Sequence, residues 1–309
     1  MRERLGLYAV LTKLRLSSLV LMTTATAYLL ARRGPLDGWE LAATLSGTLL
    51  CAFSAAALNQ FWERERDARM ERTRTRPLPS GRLSPREARL AGLGMLGSGQ
   101  AILVLGTNLL TAALALATVL LYLLVYTPLK PRSSLNTLVG AVCGALPPVL
   151  GWTAAAGRLE LGAWLFGLLL FLWQVPHFLA LAWLYREDYA RGGFRMLPAV
   201  DPGGQLTGAL SALYSLALLP LGVAFALAGL AGPTFAGGFA LLWLLLFAAS
   251  LRLWRRLDRA SARRLFFASV IVLPLALALL LVDRVPRAGA PASSGPYAAE
   301  TALPHARLR

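Results

Sequence analysis

The chain has 309 residues, 57% of them hydrophobic and 15% charged, with 31 Lys and Arg against 15 Asp and Glu, a net charge of +16. An ordinary soluble domain carries about 25% charged residues, and it lacks charge-free apolar runs such as 239–251 and 266–282. That excludes a water-soluble enzyme and a disordered chain, and leaves an all-α polytopic membrane protein. The basic residues sit in short gaps between apolar blocks rather than on a soluble face, which argues against nucleic acid as a partner.

Nine membrane spans are predicted in chain order, over 16–31, 39–61, 90–109, 111–126, 135–155, 161–184, 206–230, 234–251 and 265–282. The first follows a basic stretch as a signal peptide would. Ala31 runs straight into Arg32 and Arg33, however, so no cleavage site follows and the helix is read as retained. Pro147, Pro148, Pro176 and Pro220 fall inside spans, where neighbouring helices absorb a kink. Cys51 and Cys143 also lie inside spans and read as small packing residues, with no disulfide or metal pattern. With a cytoplasmic N-terminus, 24 of the 31 Lys and Arg fall on the inner side and 7 on the outer. The opposite orientation reverses that excess, so the N-terminus is placed inside and, with nine spans, the C-terminus outside. Residues 1–283 read as one transmembrane domain, and 284–309, rich in Ala, Pro, Gly and Ser, as a disordered tail.

Four of the 15 acids, Glu63, Glu65, Asp67 and Glu71, crowd the inner end of the second span. Asn59, Glu63 and Asp67 recur at i, i+4, i+8, drift by about 40° per step and so share one helical face. Three oxygen-bearing side chains on one face, beginning inside the hydrocarbon, suit a hard cation such as Mg²⁺. The plainer reading pairs Glu63 and Asp67 with neighbouring arginines on an interfacial helix. Asn59 has no part in such pairs, and the stretch that follows, Met70-Glu71-Arg72-Thr73-Arg74-Thr75-Arg76-Pro77-Leu78, puts a basic run beside the acidic face. Carboxylates that hold a cation beside guanidinium groups that pair with phosphate oxygens would suit a metal–diphosphate ligand. Arg64 and Arg74 are read as orientation charges only.

Asn59-x-x-x-Glu63-x-x-x-Asp67 followed by Met70-x-Arg72-Thr73-x-x-Arg76-Pro77-Leu78 resembles the first motif of the UbiA-type intramembrane prenyltransferases. The likeness extends through Leu11-Thr12-Lys13, Tyr126-Thr127-Pro128-Leu129-Lys130, Leu135-Asn136-Thr137, Gly144-Ala145-Leu146-Pro147-Pro148 and Gly151-Trp152. Trp173-Gln174-Val175-Pro176-His177-Phe178 and Asp188-Tyr189-Ala190-Arg191-Gly192-Gly193 point to the haem-modifying branch. The chain departs from that pattern at Leu14, where the branch usually has proline. The resemblance implies a bundle of about nine helices around a central cavity in a bacterial-type inner membrane, surrounded by lipid. It also implies farnesyl diphosphate and haem B (protohaem IX) as substrates, haem O as product, one or two Mg²⁺ ions, and a haem A synthase as the downstream partner.

On this reading Asn59, Glu63 and Asp67 hold the metal, and Arg72, Arg76 and Lys130 neutralise the diphosphate. Tyr126 and Asn136 orient diphosphate or metal, or else serve as an interface anchor and an interhelical hydrogen bond. Relatives with other acceptors carry two acids at i, i+4 after the sixth span, whereas this chain has the adjacent pair Glu187 and Asp188. Adjacent side chains point about 100° apart, so Asp188 alone is expected as a second-site ligand, with Tyr189 beside it and Glu187 paired to Arg191. His177 is read as a hydrogen-bonded structural group, or, as the resemblance implies, an axial contact to haem iron or a partner of a propionate. The same Glu187-Asp188 adjacency argues against a quinone-precursor or chlorophyll acceptor. A transporter is disfavoured because the acids gather at one membrane face and spans three to five carry none. A non-catalytic haem-binding assembly factor would account for His177 but not for the acidic face.

Overall fold

The computed structural model describes residues 2–285, and the expected tail lies outside the described residues from 286 onward. A short helix α1, Arg2–Leu11, comes first. Among the described residues nine further helices are long and apolar enough to cross a bilayer: α2 Leu14–Ala31, α3 Gly38–Asp67, α4 Pro85–Gly106, α5 Leu109–Leu129, α6 Asn136–Ala156, α7 Leu161–Leu184, α8 Gln205–Leu227, α9 Pro233–Arg256 and α10 Arg259–Val282. Among the described residues the only extended pairing is one antiparallel bridge between Ala231 and Arg284. Arg284 also donates to the Leu29 carbonyl at 3.3 Å, so the first tail residue is tied to the bundle.

Local chemistry sets the helix ends. Asp37 accepts from the Trp39 and Glu40 amides at the start of α3. Ser84 accepts from the Glu87 amide, with Pro85 in the first position of α4, where its missing N–H costs nothing. Asn108 and Asp258 cap α5 and α10 in the same way, through the amides of Thr111 and Ser261. Hydrogen bonding to Ser261 holds the Asp258 carboxyl below its ordinary pKa. Between helices, Lys13 and Leu257 take the left-handed conformation at φ 50°, which turns the chain sharply from one helix into the next.

Small residues bring the helices together. Gly151 of α6 packs directly on the Thr24 carbonyl of α2, where any Cβ would collide with backbone. Gly99 of α4 faces the Gly47 carbonyl of α3, and a Cβ there would come within 2.9 Å of it. Close approach of this kind drives helix association where lipid offers no hydrophobic contrast. A Gly151→Val substitution is therefore expected to destabilise the protein by about 2 kcal/mol, read as a lower unfolding temperature in detergent. Elsewhere Trp152, Phe166, Phe225 and Phe235 fill the core between α6, α7, α8 and α9, each fully buried.

Two departures from regular geometry shape the centre of the bundle. Residues Leu121–Tyr126 within α5 form a π-helical segment, in which the Thr127 amide reaches back to the Tyr122 carbonyl. Helix α3 runs for 30 residues, about 45 Å, and so overshoots the roughly 30 Å apolar layer. Its last turns carry Glu63 and Asp67 beyond the end expected at residue 61. They stay buried because the 68–84 loop and the 185–196 segment, with its short helix Arg186–Arg191, fold over them, with Met70, Phe194 and Met196 packed inward.

Candidate active site

A cavity of about 450 Å³ opens between α2, α3, α5, α6, α7 and α10. Its deeper wall is apolar, with Val20, Ala52, Val119, Leu150 and Leu273 among its lining. Its mouth, at the end of α3, is highly polar. Asn59, Glu63 and Asp67 all face it, as their shared helical side requires, and all three are buried. They do not pair with the arginines beside them in sequence. Arg64 bonds to the exposed Glu65, and Arg66 donates to the carbonyls of Gly192 and Gly193.

Each oxygen side chain instead meets a cation brought from another part of the chain. The Lys130 ammonium, just past α5, lies 2.9 Å from Glu63 Oε1 and 3.0 Å from Oε2. Arg76 donates to Asp67 Oδ2 at 2.8 Å. Lys13 donates to Asn59 Oδ1 at 3.2 Å, while the Asn59 amide donates to Thr127 Oγ1 at 3.0 Å. The Thr127 hydroxyl in turn donates to the Tyr122 carbonyl in the π-helical segment. Burial pulls the Lys130 pKa down, but the Glu63 carboxylate, with the nearby tyrosines, more than offsets this and holds it above its ordinary value. Lys13 has no such carboxylate in contact. Burial, reinforced by repulsion from Lys130 and Arg76, lowers its pKa to about 7 despite the opposing pull of Glu63 and Asp67.

Arg72, Tyr126, Tyr189 and His177 also line the cavity. The Arg72 guanidinium lies over the rings of Tyr185 and Tyr189, at 5.2 and 5.6 Å, and Lys130 lies 4.6 Å over Tyr126. These stacks hold the cations at the mouth without cancelling their charge.

Three sequence expectations come out differently. Asp188 does not line the cavity. Its carboxylate accepts from the backbone amides of Glu71 and Arg72, at 2.7 and 3.3 Å, and so staples one polar loop to the other. Arg191 pairs with Asp188 and Glu71, leaving Glu187 exposed without that partner. Asn136 is also outside the wall: its amide donates to the carbonyls of Ser133 and Arg195, which lie in two loops, so it ties the start of α6 to loops and not to another helix. Conversely, Lys13 enters the site although it was given no role there, having been noted only within the Leu11-Thr12-Lys13 likeness. By charge alone it is one of several basic residues before the first span and counts as an orientation charge.

The donor set fits a magnesium ion. Mg²⁺ favours oxygen ligands and is usually held by one or two carboxylates, with substrate phosphates and water completing its shell. Glu63, Asp67 and Asn59 supply two carboxylates and a carboxamide on one face. Among the described residues no group of three or more acidic, His or Cys side chains is placed to cage an ion without such help. The cationic side chains now resting on those oxygens are long, and they could swing from carboxylate to phosphate.

The chain resembles known proteins in both sequence and fold. The family model described as "UbiA prenyltransferase family" matches residues 20–271. A protein of Solibacter usitatus (strain Ellin6076) named protoheme IX farnesyltransferase is 43% identical over 288 residues, which cover 90% of this chain and 98% of that protein. The human mitochondrial protein of the same name is also 43% identical, over 94% of this chain and 65% of its own length. Among solved structures, a digeranylgeranylglyceryl phosphate synthase superposes with a TM-score of 0.76 at 16% identity, over 91% of this chain and 98% of that one. A UbiA homologue from Archaeoglobus fulgidus bound to GPP and Mg²⁺ gives 0.62 at 15% identity, over 89% and 99%. At such identities the structural likeness shows the fold.

Proposed function

The chain belongs to the UbiA prenyltransferase family, and from that membership we propose that it transfers a farnesyl group from farnesyl diphosphate to a vinyl group of haem B, giving haem O and diphosphate. The observation that carries this reading is the polar mouth of an otherwise apolar chamber, where Asn59, Glu63 and Asp67 face Lys13, Arg76 and Lys130. Both substrates are largely apolar with one anionic end, and a chamber of this polarity suits them.

A magnesium ion held by Asn59, Glu63 and Asp67 would supply Lewis-acid neutralisation of the leaving diphosphate. The chain's own cations do the rest. Arg72, Arg76, Lys13 and Lys130 pair with phosphate oxygens, and these contacts strengthen as charge gathers on the departing group. The apolar wall takes the isoprenoid tail and keeps water from the reactive carbon. The bond between the first farnesyl carbon and the diphosphate oxygen breaks, and a carbon–carbon bond forms to the vinyl group. Water then captures the resulting cation on the porphyrin side and releases a proton, leaving a hydroxyethylfarnesyl substituent. Asp188 acts as a positioning residue: by fixing the backbone at Glu71 and Arg72 it sets the Arg72 guanidinium over Tyr185 and Tyr189.

The polar face lies on the cytoplasmic side of a bacterial-type inner membrane, with lipid around the bundle and the C-terminus outside. The charge asymmetry of the loops supports that orientation. The product would be consumed by a haem A synthase.

The test is direct. Purified protein given farnesyl diphosphate, haem B and Mg²⁺ is expected to yield, by mass spectrometry, a haem heavier by one farnesyl group and one hydroxyl. Prenylation of 4-hydroxybenzoate in the same vessel, with haem unchanged, would move the protein to another acceptor class. Arg76→Ala is expected to weaken farnesyl diphosphate binding by about 2 kcal/mol, roughly thirtyfold in Kd, without changing the product.

A further inference from the structure

Gln174 of α7 is only 5% exposed, yet it lines the cavity. Its carboxamide nitrogen donates to the Leu170 carbonyl at 2.8 Å and, more weakly, to the Ala141 carbonyl of α6 at 3.5 Å. The nitrogen end is thereby fixed, and Oε1 rests in a notch on α6 at Gly144, where a Cβ would coincide with it. Among the described residues no group donates to Oε1. Two further acceptors stand beside it. Pro147 and Pro148 lie inside α6 and, having no N–H, cannot bond the Cys143 and Gly144 carbonyls four residues earlier. Cys143, Gly144 and Gln174 all line the cavity. Buried acceptors need a donor, and neither an isoprenoid chain nor the vinyl edge of a porphyrin has an N–H or O–H to give. Water has two, and a buried water makes about three hydrogen bonds.

We propose that this notch holds the water that captures the cation formed in the transfer, and that Gln174 is the residue that positions it. This rests on haem being the acceptor. The depth of the notch suits the chemistry. Gly140, one turn nearer the mouth on α6, packs against the Tyr126 ring, over which Lys130 lies at 4.6 Å. Gly144 is therefore about 6 Å below the level where the diphosphate is held. A water whose hydrogens go to acceptors turns a lone pair to the cavity, as a nucleophile must. Its oxygen bonds to the internal vinyl carbon, two bonds from the first farnesyl carbon, and its proton passes to the departed diphosphate. Without that water the same cation loses a proton from the neighbouring CH₂, again to diphosphate, and closes to an alkene. The held water thus decides between the hydroxyethylfarnesyl side chain and its dehydrated counterpart.

The experiment identifies, by mass spectrometry, the products of wild type, Gln174→Leu and Gln174→Glu, each given farnesyl diphosphate, haem B and Mg²⁺. Wild type is expected to give haem O. Gln174→Leu should give chiefly the alkene, lighter than haem O by one water. Gln174→Glu, which as the neutral acid donates to the Leu170 carbonyl and keeps an acceptor oxygen, should return to haem O. Haem O as the sole product of Gln174→Leu overturns the inference at any rate of turnover, because a side chain that only shapes the wall or steadies the cation alters rate and not product. A Gln174→Leu protein that binds farnesyl diphosphate but farnesylates no haem overturns it too, since the water acts after the carbon–carbon bond has formed. If Gln174→Leu binds no farnesyl diphosphate, Gly144→Ala decides, because its Cβ displaces Oε1: alkene upholds the inference and haem O alone overturns it. The acceptor reading fails separately: wild type would then form no farnesylated haem of either kind.

Discussion

Glu63→Gln and Asp67→Asn will each lower turnover by about a thousandfold or more, a loss of roughly 4 kcal/mol of transition-state stabilisation, in protein that still folds and binds haem. Each substitution keeps the shape of the side chain and one oxygen but removes the charge a hard dication requires. Both residues line the cavity mouth on one face of α3, so neither can be replaced by a neighbour. Removing divalent ions with a chelator should bring the wild type to the same low rate, and excess Mg²⁺ should restore it fully. The two variants should not recover under that treatment. Wild-type rates in metal-free buffer, measured by haem O formation, would contradict the metal site outright.

The second large effect is on stability. Lys130→Met should destabilise the protein by about 3 kcal/mol or more, because it strands the Glu63 carboxylate in a buried site. The side chains of Glu63 and Lys130 are 7% and 13% exposed, so water cannot take over the lost contact. Converting both partners, as Glu63→Leu with Lys130→Met, should recover most of that stability while leaving turnover at the floor. Thermal unfolding and product formation, measured on wild type, Lys130→Met, Glu63→Leu and the double variant, separate the structural role of the pair from its chemical one. A double variant as unstable as the single would show that the pair contributes through something other than charge compensation.

The spans and the acidic face were legible in the sequence because each is a matter of spacing along one helix. Apolar runs of about 20 residues define the spans, and i, i+4, i+8 puts Asn59, Glu63 and Asp67 on one side whatever the rest of the chain does. The partners of those residues were not legible in the same way. Lys13, Arg76 and Lys130 reach them from three other elements, and local spacing carries no trace of such meetings. Asp188 shows the converse. Its charge and its neighbourhood in sequence suit a metal ligand, yet two backbone amides of a loop more than 100 residues earlier take its oxygens. Asn136 is occupied likewise by carbonyls. Helix α1 went unseen because its ten residues lack an apolar run; it is held instead by contacts such as Gln60 donating to the Val10 and Leu11 carbonyls.

The wide turn at Leu121–Tyr126 has a consequence for tolerance to insertion and deletion. Such a turn accommodates about one residue more than a regular turn, and it offsets the angular phase of everything downstream on α5. Shortening that stretch by one residue would let regular hydrogen bonding resume with the helix beyond it nearly in phase, whereas regular turns at the present length would leave that helix rotated by about 100°. In that rotated form Thr127 and Lys130 would leave Asn59 and Glu63 together, although neither had been mutated. The wide turn between Leu121 and Tyr126 is thus as much a part of the catalytic apparatus as the identity of any side chain in it.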